Sequence, residues 1–127
     1  MYEDLLEQAE RMGIPVRERP LGQHACGYYC DRPRLILIDE DLPEYAKYCT
    51  LVHELVHARY RDPGCGPQYG KAERRARIQT ALQTIQPLEF AAAERMYGGD
   101  SSAIAIALDR PVQVVEDYQQ WLHDHGL

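Results

Sequence analysis

The pattern of apolar and polar positions changes period several times along the chain. Residues 2–12 place Leu5, Leu6, Ala9 and Met12 near helical spacing behind an acidic start, and Gly13 ends the pattern. Ile14 to Arg19 predicts a short extended piece ahead of Pro20. Residues 26–30 and 34–39 predict a β-hairpin around Asp31-Arg32-Pro33, with Arg34-Leu35-Ile36-Leu37-Ile38-Asp39 as its better strand. That strand is apolar on both faces, so burial on both sides or against a helix is expected. Asp41 is the expected N-cap of a helix from Leu42 to Arg61, with Pro43 where a first turn tolerates it. Asp62-Pro63-Gly64-Cys65-Gly66-Pro67 breaks that helix, and the loop runs on to Gly70.

Helical periodicity returns from Lys71 to Gln86, where Ala76, Ala81, Leu82 and Ile85 are the apolar positions. Shorter helices follow at 88–97, closed by Gly98-Gly99, and from a cap at Ser101 or Ser102 through Leu108. After the turn Asp109-Arg110-Pro111, a last helix from Val112 to His123 carries Val115, Tyr118 and Trp121 towards a core. The order is helix, small sheet, long helix, then helices. This is an α+β arrangement, expected to form a single domain over 1–127.

Charge and composition narrow the function. A formal net charge of -6 argues against direct nucleic-acid binding or attraction to an anionic membrane. No apolar run reaches the length of a membrane span, and the acidic, amphipathic N-terminus does not read as a signal peptide. A cytoplasmic location is the default, which predicts Cys26, Cys30, Cys49 and Cys65 to be thiols. Cys26-x-x-x-Cys30 has no matching Cys or His pair at zinc-site spacing.

The chemistry lies in Leu51-Val52-His53-Glu54-Leu55-Val56-His57-Ala58. On a helix, residues four apart share a face, so His53 and His57 can aim both imidazoles at one point. Two neutral imidazoles suit Zn²⁺, which then needs a third protein ligand. Glu54 emerges beside the same face, where it can take a proton from the water such an ion activates. The apolar flanks Leu51, Val52, Leu55 and Val56 would bury the helix, and unpartnered histidines inside it would be costly. Third-ligand candidates are His24, Asp62, His123, His125 and Glu73. Asp62 follows the helix too closely to fold back easily, and His123 and His125 are at the far end, where an i, i+2 pair on a helix does not face one point. Glu73, sixteen residues after His57 in the first turn of the next helix, can be returned to the imidazoles by the loop between.

At these residues the chain resembles the ImmA/IrrE-type metallopeptidases, small zinc proteases of phages, mobile elements and bacterial genomes. The resemblance rests on Gly27-Tyr28-Tyr29, Ile36-Leu37-Ile38-Asp39, the histidine motif preceded by Cys49-Thr50, Ala72-Glu73-Arg74-Arg75-Ala76, and Thr84-Ile85-Gln86-Pro87-Leu88-Glu89-Phe90. It implies a minimal zincin-like fold, with a small antiparallel sheet on the His-Glu-x-x-His helix and a mostly helical C-terminal half. It implies one zinc ion per chain held by His53, His57 and Glu73, with Glu54 as catalytic base. It also implies a protein substrate, commonly a DNA-binding repressor. One position departs from the pattern. Relatives often carry Asp four residues after the glutamate ligand, where this chain has Arg77, which cannot accept a hydrogen bond from an imidazole. Either another acceptor orients that histidine or the site is weakened. Gln79 and Thr80 also stand where relatives tend to be apolar.

For a peptidase, an oxyanion donor could come from Tyr60, Tyr69, His24 or Tyr28, and the 34–39 strand is a candidate edge for an extended substrate. Two other readings compete. One is a catalytically weak or inactive module that binds a partner protein. The other is a helix-turn-helix regulator built from 103–122, opposed by Glu116 and Asp117 on the would-be recognition helix. The basic run Lys71, Arg74, Arg75 and Arg77 reads as a solvated face or as a surface for an acidic substrate segment.

Overall fold

The computed structural model describes residues 1–22 and 25–127. Six helices and four strands follow in the order α1 (Tyr2–Arg11), β1 (Val16–Arg19), β2 (Gly27–Asp31), β3 (Arg34–Asp39), α2 (Glu44–Arg59), β4 (Cys65–Gly66), α3 (Gly70–Thr84), α4 (Pro87–Tyr97), α5 (Ser101–Leu108) and α6 (Val112–Asp124) among the described residues. This is the expected α+β architecture, consistent with a minimal zincin-like fold. Among the described residues, no helix is long and apolar enough to cross a membrane.

The sheet order is β1-β3-β2-β4. The hairpin β2–β3 is antiparallel as expected, while β1 joins β3 in parallel, so the sheet is mixed. β3 is therefore interior, not the substrate-accepting edge anticipated for 34–39. Its Ile36 and Ile38 are buried with Tyr29, Leu51 and Leu55, whereas Leu35 and Leu37 on the other face are half-buried.

β4 is a two-residue strand inside the segment read as a helix breaker. Its pairing with β2 sets Cys30 opposite Cys65, and the two form a disulfide, correcting the expectation of four thiols. The pair is of the non-hydrogen-bonded kind, in which facing residues approach most closely. Only Cys26 and Cys49 are free.

Two helix starts also differ. Asp41 does not cap α2: its N–H bonds back to Asp39 Oδ1, and the helix opens after Pro43. Asp100, not Ser101 or Ser102, caps α5 by accepting from the Ser102 and Ala103 amides. A carboxylate one residue earlier reaches both exposed N–H groups better than a hydroxyl inside the first turn.

α2 lies between two cores. Leu51, Leu55 and Ala58 pack with α1 and the sheet, and Cys49 packs with Ile85, Phe90, Ile104, Val115 and Tyr118 of the helical half. Val114 takes the inward place expected of Trp121, which is half-buried and stacks between Tyr118 and His125. Arg34 pins the sheet to the end of α2 through the Ala58 carbonyl, at 2.7 Å.

Gly27 is where β2 crosses α2. A Cβ there would lie 2.7 Å from Thr50 Cγ2 and 2.8 Å from the Leu37 carbonyl oxygen. Gly27→Ala is expected to destabilise the protein by about 1–3 kcal/mol, because the backbone of β3 must move. A urea titration checks this, and an unchanged midpoint would contradict the packing described.

Candidate metal centre

The site forms where α2 and α3 run antiparallel, with His57 near Glu73 at one end and Cys49 near Thr84 at the other. Glu73 Oε1 lies 2.9 Å from His53 Nε2 and 3.2 Å from His57 Nε2. One ligand atom from each of the three residues falls within 4.8 Å of the others. A tetrahedral ion bound at about 2.0–2.1 Å spaces its ligand atoms by roughly 3.3 Å, so the donor set fits a zinc-sized cation. The loop after α2 delivers Glu73 as its position predicted. Asp62 is not among the converging atoms. His125 Nδ1 bonds the Trp121 carbonyl, and His24 lies outside the described residues.

Asp62 nevertheless folds back, for a different purpose. α2 ends with Arg61 in the left-handed region at φ 51°, and the Asp62 amide bonds the His57 carbonyl at 3.0 Å. This close reversal places Asp62 Oδ2 2.8 Å from His57 Nδ1. A carboxylate can only accept, so Nδ1 carries a proton, and with a cation bound Nε2 would be the ligating nitrogen. Arg75 Nη2 holds the other oxygen of Asp62 at 2.6 Å, and its guanidinium lies 3.7 Å over the Tyr60 ring. Gln79 donates to the Tyr60 hydroxyl at 2.9 Å. Asp62 thus gives His57 an acceptor of the kind that Arg77 cannot be. The only sequence signal for it was an Asp just past the helix end, because position 61 carries neither the Gly nor the Asn usual in a left-handed turn.

Arg77 pairs with Asp117 of α6. Thr80 is buried with its hydroxyl on the Ala76 carbonyl. The basic run therefore splits: Arg75 and Arg77 are engaged, while Lys71 and Arg74 are exposed.

Glu54 is buried beside the ligands and opens on the same cleft of about 450 Å³. Burial pushes its carboxyl pKa up, against the pull of His53 and His57. A raised carboxyl suits a group that must take up a proton and release it. Burial alone would raise Glu73 as well, but hydrogen bonds from both histidines outweigh it and bring its pKa down to about 2. For His57, burial works against the charged form, yet Glu73 and Asp62 together hold its pKa above the ordinary histidine value. Of the four oxyanion candidates, only Tyr28 lines the cleft among the described residues.

The arrangement is that of a metallopeptidase-like module: two histidines one turn apart, a glutamate from the next helix and a buried carboxylate alongside. The family model described as the IrrE N-terminal-like domain, a peptidase family, matches residues 9–106. The chain belongs to that family. No curated protein and no solved structure matches it.

Asp62→Ala is expected to weaken Zn²⁺ binding about 10- to 100-fold, read by competition with a chromophoric chelator. Full affinity in that variant would remove Asp62 from its role. The pH dependence has two signs. Zn²⁺ competes with the proton on His57, so affinity should fall as pH drops below that residue's raised pKa, while Glu73 stays ionised. Without metal, the stability from His57 is fully present below its unfolded pKa and is lost as pH rises through the folded one. Chelator competition and urea melts over roughly pH 5 to 9 test both directions.

Proposed function

We propose that this protein is a zinc-dependent endopeptidase that hydrolyses a peptide bond in a protein substrate. A DNA-binding repressor is the substrate class to which the family resemblance points. The reading is carried by the convergence of His53, His57 and Glu73 on one point with Glu54 buried at its side.

Zinc held by these residues would supply Lewis acidity, lowering the pKa of water and polarising a carbonyl. Glu54 takes the proton from the attacking water and returns it to the departing amine. Asp62 keeps His57 in one tautomer throughout, and Arg75 keeps Asp62 in place.

The substrate backbone has a natural place at the outer edge of β2. The Asp39 amide bonds the Cys26 carbonyl, so by strand alternation the N–H and C=O groups of Gly27 and Tyr29 point away from β3. Tyr29 is opposite Gly66 of β4. Gly27 has no β4 partner and lines the cleft, where an extended peptide can pair with it.

Glu54→Gln is expected to keep fold and zinc content but to lower turnover by about 10²- to 10⁴-fold. The assay is intact-mass analysis of the zinc-loaded protein incubated with candidate DNA-binding repressors, including any encoded beside it. Two defined fragments with the parent protein, and none with the variant, support the proposal. Equal cleavage by both would defeat it.

A further inference from the structure

The cleft extends beyond the metal ligands along the seam between α2 and α3. Arg77 follows Glu73 by about one helical turn on the same face of α3, roughly 6 Å further along the axis. Ala46 and Thr50 precede His53 on the facing side of α2, and α6 closes the far end with Val114 and Asp117. These walls are largely apolar. Among the described lining residues Arg77 is the one Lys or Arg.

Its guanidinium is oriented. Nε donates to Asp117 Oδ2 at 3.1 Å and Nη2 to Oδ1 at 2.6 Å. Gln113 Nε2 donates to the same Oδ1 at 3.0 Å. Asp117 therefore has three donors, and its side chain is 13% exposed against 41% for Arg77. The carboxylate backs the cation, and the open side of the pair is the guanidinium. Its Nη1 has no acceptor among the described residues, and the end of an arginine fork presents parallel N–H groups that match a carboxylate.

We propose that Arg77, positioned by Asp117, is a specificity-determining residue that receives a glutamate side chain of the substrate beside the scissile bond. The inference rests on the peptidase reading above. A peptide paired along β2 turns alternate side chains towards the α2–α3 floor. A side chain entering there meets walls that include Ala46 and Val114 together with the guanidinium. A carboxylate on a two-methylene stem matches both, whereas a lysine or arginine is repelled by Arg77. The selecting pair also joins the matched family region to α6, which lies beyond residue 106. Selection would thus rest on Arg77 inside the shared domain and on Asp117 beyond it.

The alternative is that Arg77–Asp117 only clamps α3 to α6. The test uses full-length, zinc-loaded Glu54→Gln protein to capture peptides from a randomised decapeptide library, read by mass spectrometry. About tenfold enrichment of Glu over Gln at one position is expected. Adding Arg77→Gln with Asp117→Asn should abolish it. The reversed pair, Arg77→Asp with Asp117→Arg, retains a clamp but should replace the Glu preference with one for Lys or Arg. A pure clamp predicts that the reversed pair captures as the parent does. If both variants unfold, the Arg77 Nε–H resonance of the parent decides, since it must move with a Glu peptide and not with its Gln counterpart. Absence of Glu enrichment, including absence of capture, overturns the proposal, as does enrichment that survives both variants. Glu-enriched capture by a protein whose Glu54-intact form cuts nothing would sink the peptidase reading and leave Arg77 as a glutamate-binding residue with no scissile bond beside it. Cutting without a Glu preference would do the reverse.

Discussion

The structure depends on a single meeting of three side chains across two antiparallel helices. α2 is buried against a core on either side, so His53 and His57 cannot both turn to bulk water. Glu73, from the start of α3, sets one carboxylate oxygen against both imidazoles. His57 is buried, and leaving its imidazole without a partner would cost about 1–3 kcal/mol. The partnership therefore favours the way α3 lies on α2, together with the packing of Cys49 and Ala81.

The rest of the site is arranged around that meeting in widening contacts. A left-handed residue at Arg61 turns the chain sharply enough for Asp62 to reach back beneath His57. Arg75, one helical turn or less from Glu73, then holds Asp62 from the opposite helix. The loop between α2 and α3 is therefore tied at both ends to the residues it positions. The disulfide and the β2–β4 pairing add a third tie, fastening the middle of the loop to the sheet edge along the cleft.

The two cores explain why α2 is so poorly amphipathic. Leu51 and Leu55 serve the sheet, Cys49 serves the helical half, and the strip bearing the histidines is the part left to chemistry. The C-terminal helices do more than cover the second core. Through Val114, Gln113 and Asp117, α6 forms a wall of the same cleft that the sheet edge bounds on the other side. Both halves of the chain therefore shape one cavity.

Local features of the sequence determined the helices, the β2–β3 hairpin, the pairing of His53 with His57 and the place of Glu54, because each rests on spacing within a turn or a strand. The return of Glu73 was legible too, since a short loop leaves a helix-start residue few places to go. Tertiary structure alone decided the rest. Cys30 and Cys65 are distant in sequence, and their meeting depends on a two-residue strand with no periodicity to betray it. Asp62 depends on a left-handed arginine where local preference favours glycine, and Arg77 on a carboxylate forty residues away. β1 entered beside β3 in parallel, which no pattern within either strand specifies. Short-range periodicity records which face of an element is buried, but only the packed chain establishes which distant residue meets that face.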